Sequence, residues 1–251
     1  MTIDFPKTAD IPALKGLWSR CFGDPEPLID GFFATGFSPE RCRCLKSGGE
    51  VAAALYWFDA WQGEDRLAYV YAVATDPVFQ GRGFCRALME DTHRLLKEAG
   101  YAGAVLVPGG PGLFAMYEKM GYRPFGGIRE FTCLPAEKPL ALERITPAQY
   151  AQKRRALLQS GGVIQEGAAL AWLECFGAFY AGEDFLLAGA LDKDTLLAQE
   201  LLGNTDAAPG ILAALGAKQG RFRVPGQEKP FAMYYPLNRQ ESPAYFGLAL
   251  D

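Results

Sequence analysis

Between Tyr69 and Glu90 the sequence reads YVYAVATDPVFQGRGFCRALME. A run rich in valine, tyrosine and threonine meets Asp76-Pro77, crosses a turn with glycines at 81 and 83, and continues with helical spacing. Such residues suit a pleated strand, and a proline ends it. Phe84, Leu88, Leu95, Leu96 and Ala99 then share one helical face, and Gly100 stops the helix. A strand passing through a glycine turn into a helix commits this part of the chain to an α/β arrangement. It also leaves the first helical amides without intrahelical acceptors, beside residues that have no side chain to block approach. That combination holds phosphate. Two familiar phosphate loops are excluded. A Walker A loop ends in glycine-lysine-serine/threonine, but Gly83 is followed by Phe84; a dinucleotide fingerprint needs a third glycine where Arg86 stands.

Elements on either side follow the same logic. Leu14, Leu17, Trp18, Cys21 and Phe22 have helical spacing between Asp10 and Gly23, and EPLIDGFFATGF reads as a second short helix. RCRCLKS, EVAAALYWFDAW and DRLAYVYAVAT read as strands, with a further strand in Ile3–Phe5. After the central helix come a short buried strand in AGAVLVP and a helix in PGLFAMYEKMGY, with two strands expected around Gly126 and Gly127. Pro135–Pro139 reads as a linker. Beyond it LERI is a strand, TPAQYAQKRRALLQS a helix, GAALAWLECFGAFYAG one helix, and DFLLAGALDKDTLLAQELL a hairpin. DAAPGILAALG is a short helix, and three strands follow in RFRVP, PFAMYYPL and AYFGLAL. The two halves share their element order, which suggests a diverged internal duplication.

A net charge of −4 over 251 residues leaves no basic footprint for nucleic acid and no polybasic membrane patch. No signal peptide or membrane-length apolar run is read, so a cytoplasmic protein is expected. The six cysteines are scattered and read as reduced thiols. Cys42 and Cys44, with one histidine in the chain, make a poor metal site; they read instead as two thiols on one face of a strand.

Gln80-Gly81-Arg82-Gly83-Phe84-Cys85 resembles the acyl-CoA loop of the GNAT superfamily of N-acetyltransferases, whose pattern is Gln/Arg-x-x-Gly-x-Gly/Ala. Gln80 and Gly83 match, and Cys85 stands in the last place. Val73-Ala74-Thr75 before Asp76-Pro77 is similar to the family's strand end, and MYEKMGY to its YEKLGF segment. Element order to about Pro135 agrees as well. The resemblance implies a mixed, splayed central sheet flanked by helices, acetyl-CoA as co-substrate and no metal. It implies that Val73, Ala74 and Thr75 pair with the pantetheine arm. The pyrophosphate would lie on the amides of Gly81, Arg82, Gly83, Phe84, Cys85 and Arg86, with Gln80 at the head of the loop and Arg82 adding a charged contact. Tyr117 matches the family's general acid, although Gly110 replaces the usual asparagine seven residues earlier. Core packing is the alternative role for Tyr117.

No base is assigned: Val107-Pro108 occupy the usual place, His93 is expected on the solvent side of its helix, and Asp59, Glu64 and Asp65 have no support. Trp57, Phe58, Trp61, Tyr69 and Tyr71 read as sheet core, or else as an aromatic wall for the acceptor. Residues 1–135 are expected to form a GNAT domain binding acetyl-CoA, and residues 140–251 a degenerate GNAT-like domain without the loop. The arrangement resembles the first two domains of "enhanced intracellular survival" acetyltransferases. Those carry a further domain and a catalytic C-terminal carboxylate, a role not assigned to Asp251. The expected activity is acetyl transfer to a small-molecule or peptide amine, with a homodimer left open and with no nucleic acid or membrane partner. A non-catalytic acyl-CoA sensor or scaffold is the alternative, and a purely structural module a third.

Overall fold

The computed structural model describes residues 1–158 and 161–250. The first half follows the expected order as far as α4: β1 (Thr2–Asp4), α1 (Ile11–Phe22), α2 (Glu26–Thr35), β2 (Cys42–Ser47), β3 (Glu50–Gln62), β4 (Asp65–Thr75), α3 (Phe84–Glu98), β5 (Gly103–Leu106) and α4 (Pro111–Glu118), and it ends in β6 (Arg123–Cys133). The second half contributes β7 (Glu143–Ile145), α5 (Pro147–Leu158), β8 (Ile164–Gln165), α6 (Ala168–Glu174), β9 (Ala178–Ala181), β10 (Phe185–Asp192), β11 (Thr195–Gly203), α7 (Ala208–Leu215), β12 (Gln219–Pro225) and β13 (Lys229–Pro236). The helix read from Thr146 onward is described to Leu158; its last two residues, Gln159 and Ser160, lie outside the described residues, as does Asp251.

Three expectations are corrected. RPFGGIREFTCL forms one long strand, β6, not two. GAALAWLECFGAFYAG breaks after Glu174, and its second part is β9, paired with β7 and β10. Trp172, Phe176 and Tyr180 are spaced as a helical face would be, but two flanking strands supply backbone partners that outweigh that local preference. AYFGLAL makes no strand; only Tyr245 bridges, to Gly162.

One mixed sheet runs through the molecule in the order β1-β2-β3-β4-β5-β13-β6-β12-β11-β10-β9-β7, with β8 attached to β3. The order shows an exchange. The last strand of the chain, β13, lies antiparallel between β5 and β6, and β6 in turn lies antiparallel against β12. Each half is thus completed by a strand next to the other half's. The crossing requires Gly127, because a Cβ there would meet the Gly226 carbonyl oxygen at 2.4 Å.

Helices cover both faces of this sheet. On one face a single core spans both halves, with Phe32 of α2 against Trp172 of α6 at 5.6 Å between ring centroids. On the other there are separate cores, one under α3 and α4 and one under α7. Cys42 and Cys44 are both buried in the shared core, as the same-face reading requires. No group of metal-ligating side chains forms among the described residues, and no helix in them is long and apolar enough to cross a membrane.

Candidate active site

The parallel strands β4 and β5 are paired only from Leu67–Tyr69 to Gly103–Val105. β4 continues to Thr75 while β5 ends at Leu106, so the strands part and a wedge opens between them. β4 bulges in the wedge: Ala54 faces Ala74 and Tyr56 faces Tyr71, leaving Ala72 and Val73 opposite Leu55 alone. Ala72 takes φ +47°, a conformation that L-residues other than glycine, asparagine and aspartate rarely adopt. Backbone strain of this kind costs on the order of 1–3 kcal/mol and persists where surrounding structure imposes it. Here the bulged residues Ala72 and Val73 line the opening beside β4.

The wedge opens into a cleft of about 1020 Å³. β4 contributes Tyr69 to Val73, and the end of β5 with the chain after it contributes Leu106 to Pro111. Tyr117, at the C-terminal end of α4, lines the cleft. Its ring packs edge-on against Tyr122 at 5.6 Å, and its hydroxyl has no hydrogen-bond partner among the described residues. Burial pushes its phenol well above the ordinary value, and the nearby Cys85 thiol adds to that. The hydroxyl therefore stays protonated throughout the neutral range, as a proton donor to a leaving group must.

At the end of β4, Asp76 accepts from the Val78 amide at 3.1 Å and pairs with Arg20 of α1 at 2.8 Å. Gln80 donates from its side chain to the Thr75 carbonyl at 3.3 Å. Phe79 stacks on Phe84 at 6.0 Å, and Arg82 lies over Phe79 at 5.2 Å. These contacts fix the turn while leaving its backbone bare. Gly81 and Gly83 have φ of +75° and +78°, and a Cβ on either would meet nothing within 4 Å. Gly83 caps α3, and Ala87 is the first amide to donate back, to the Gly83 carbonyl at 3.0 Å. The amides of Gly81 through Arg86 are left without acceptors among the described residues, in an exposed turn at a fifteen-residue helix. Thr75 Oγ1 is buried without a partner at the same end of the strand. An open amide cradle and an orphaned hydroxyl fit a phosphate-bearing cofactor whose arm runs along β4.

The structure brings Val73 and Tyr117 into the cleft, whereas Ala74 and Thr75 pair with β3. Gln80 to Arg86 form the turn beyond the strand, outside the cleft lining. Of the aromatic residues, Tyr69 and Tyr71 line the cleft. Phe58 lies in the shared core and Trp57 on the opposite face, where its Nε1 donates to Tyr101 at 3.3 Å; Trp61 faces Ile164 of β8. His93 is not solvent-side. It is buried, with Nε2 at 2.8 Å from the Tyr122 hydroxyl and its ring stacked on Tyr235 at 3.8 Å. Burial lowers its pKa to about 4, and it does not line the cleft. Asp59 is held by Arg66, Arg41 and Tyr101, and Asp65 by Arg239.

Several lining residues escaped the sequence reading. Trp18 and Phe22 of α1, with Leu28 of α2, come from one side; Trp172 and Phe176 come from the second half. The exchanged strands add Glu130, Arg221, Arg223, Lys229 and Phe231, and Ala249 and Leu250 reach in, with the Leu250 amide donating to the Tyr69 hydroxyl at 3.2 Å. Glu130 is pushed up by burial, but Lys229 and Arg221 outweigh this and bring its pKa down to about 2. Phe22, a large apolar residue at a helix stop, was the one signal of a wall there. The β12 and β13 residues gave none, because their place depends on the exchange.

Residues 2–125 match the family described as acetyltransferase (GNAT) domain. Solved structures agree over nearly the whole chain. The GCN5-related N-acetyltransferase from Kribbella flavida is 20% identical, with a TM-score of 0.69 over 94% of this chain and 71% of that one. The corresponding protein from Anabaena variabilis is 18% identical, with a TM-score of 0.70 over 94% and 73%. Eis1 from Mycobacterium abscessus is 13% identical, with a TM-score of 0.69 over 95% and 74%. At these identities the likeness is one of fold. A search of curated proteins returned no match. Residues 2–125 are thus a GNAT acetyltransferase domain, and the chain that carries it is an acetyltransferase.

Proposed function

We propose that the chain transfers the acetyl group of acetyl-CoA to a primary amine by direct attack on the thioester. The observation that carries this reading is the open amide turn of Gly81–Arg86 at the end of a strand whose wedge also holds Tyr117. The turn would take the pyrophosphate, and the backbone of Val73 to Thr75 would take the amide-bearing arm as an added strand. That places the thioester at the wedge. A backbone N–H near Val73 stabilises the oxyanion that forms as the amine attacks. Tyr117 gives its proton to the departing thiolate as the carbon–sulfur bond breaks. The amine nitrogen loses its own proton to water. Of the two carboxylates lining the cleft among the described residues, Asp24 is engaged by Trp18, and Glu130 is too acidic and too tightly held to serve as base.

Residues 1–135 act as the acetyl-CoA unit and residues 140–251 as a degenerate copy. The second unit supplies walls of the acceptor cleft in place of a cofactor site. A cytoplasmic location follows from the chemistry, since acetyl-CoA is an intracellular metabolite. Release of free thiol from acetyl-CoA with a panel of amines, with the acetylated product identified by mass, tests the reading. Tight CoA binding without thiol release for any amine would replace it with an acyl-CoA sensor.

A further inference from the structure

The acceptor side of the cleft is an apolar slot built by both halves. Trp18 and Phe22 of α1 and Leu28 of α2 line it from the first half, and Trp172 and Phe176 line it from the second. The walls are tied together: Trp172 Nε1 donates to the Tyr71 hydroxyl at 3.3 Å, and Trp172 packs on Phe176 at 5.1 Å. Trp18 packs on Tyr71 at 5.8 Å and on Phe22 at 5.6 Å. The slot is continuous with the β4 bulge and Tyr117, so whatever fills it meets the thioester. Its mouth leaves Phe22 44% and Leu113 39% exposed, a cost in water that an apolar guest would relieve. The carboxylate beside this wall, Asp24, already accepts from Trp18 Nε1 at 2.7 Å, so it is not a vacant anchor for a second cationic group.

We propose that the acceptor is a monoamine on an apolar body, an alkyl chain or aromatic ring, and that Phe22 and Phe176 select it. This rests on the acetyl-transfer reading above. The body lies between Trp18, Phe22, Trp172 and Phe176, and the amine projects toward Val73. The second half thereby determines acceptor specificity without touching the cofactor.

The test is a homologous series of primary amines, from ethylamine to hexylamine and phenethylamine, with ethanolamine and a polyamine as polar controls. Two readouts are used: thiol release from acetyl-CoA, and direct amine binding followed by the emission of Trp18 and Trp172, which needs no turnover. Affinity and kcat/KM should rise about threefold per methylene as apolar area leaves water, and should be lowest for the polar controls. In Phe22→Ser and Phe176→Ser the dependence on chain length should flatten. Because a slope is read, loss of folded protein does not imitate that result. A flat series, or preference for the polyamine, overturns the proposal even where thiol is released. A rising binding series without thiol release keeps the slot and overturns acetyl transfer. Neither binding nor thiol release with any amine overturns both.

Discussion

Two strand-turn-helix junctions occupy the same place in the element order, and they have opposite fates. In the first half, β4 leads through Gly81 and Gly83 into α3, and six amides have no acceptor among the described residues. In the second, β11 leads into α7 through Asn204–Ala207, where every feature closes the turn. The Asn204 side chain accepts from the Asp206 amide at 2.9 Å and donates to Asp184 at 2.8 Å. Pro209 removes a donor near the start of the helix. The linker after Leu134 crosses above it, with the Ala136 amide donating to the Pro209 carbonyl at 2.9 Å and Leu140 packed over Gly210. α7 is eight residues long against fifteen for α3. The wedges differ likewise. β11 and β12 part after Ala198 and Phe222, yet next to that point Glu200 is fully buried, held by Arg154 Nε at 2.6 Å and by the Tyr150 hydroxyl at 2.8 Å. One half keeps its wedge open, and the other fills the equivalent region with its own side chains.

The largest expected effect falls on the open wedge. Tyr117→Phe removes one hydroxyl that has no hydrogen-bond partner among the described residues and keeps the ring against Tyr122. If Tyr117 is the principal acid, turnover falls by on the order of 10²–10⁴-fold while acetyl-CoA affinity stays within about twofold. Steady-state kinetics with a competent amine checks this. A turnover within about threefold of wild type would leave the first wedge with a tyrosine that only packs, and would erase this part of the contrast.

The closed wedge should break in a different way. Glu200→Gln keeps the shape but leaves Arg154, also fully buried, without its counter-charge. Breaking a buried pair from one side costs about 3–5 kcal/mol. Urea unfolding should show that loss, while CoA affinity of the folded variant is unchanged. A stable variant with impaired CoA binding would mean that the second wedge communicates with the cofactor.

Gly83→Val tests the open turn. Valine is a poor occupant of φ +78°, so the turn must rearrange and its amides cease to converge. Affinity for CoA should drop on the order of 100-fold by calorimetry, about 2.7 kcal/mol, with the far-ultraviolet circular dichroism retained. The wild-type titration should show one site per chain. Unchanged affinity, or two sites, would remove the distinction between the junctions.

How much of this was legible depends on the range of the interactions. The open turn was readable because two glycines needing positive φ, a strand before them and a helix after them are all local. The closed turn was readable in part, from Asp206 and Pro209, but not the linker folded over it, which depends on contacts across some seventy residues. PFAMYYPL was legible as a strand from its residue types. Its position between β5 and β6 was not, since nothing in a period-2 pattern names the neighbouring strand. His93 was misplaced because Phe84, Leu88, Leu95 and Leu96 suggested a narrower apolar face. α3 also buries Met89, Thr92 and His93. The ring is accommodated by Tyr122 and Tyr235, the second of which arrives on β13.

That last pair gives the smallest expected effect and the finest form of the comparison. Beside the closed wedge the second half buries an ion pair, whereas under α3 the first half buries His93 against Tyr122, held neutral. Burial lowers the imidazole pKa from 6.5 to about 4 in the folded protein. The unfolded chain therefore binds more protons between those values, so stability rises with pH there and falls as the solution is acidified. The stabilisation is fully present above about pH 6.5 and is lost progressively toward pH 4. From pH 7 to pH 5 this one group should remove about 2 kcal/mol. His93→Gln can still bond the Tyr122 hydroxyl but does not titrate, so its unfolding free energy should change less over that interval by about the same amount. Urea midpoints of both proteins at pH 7, 6 and 5 measure the difference. Parallel pH dependences would mean that protonated His93 is tolerated in the fold, and that the region behind the open cleft is more hydrated than its packing implies.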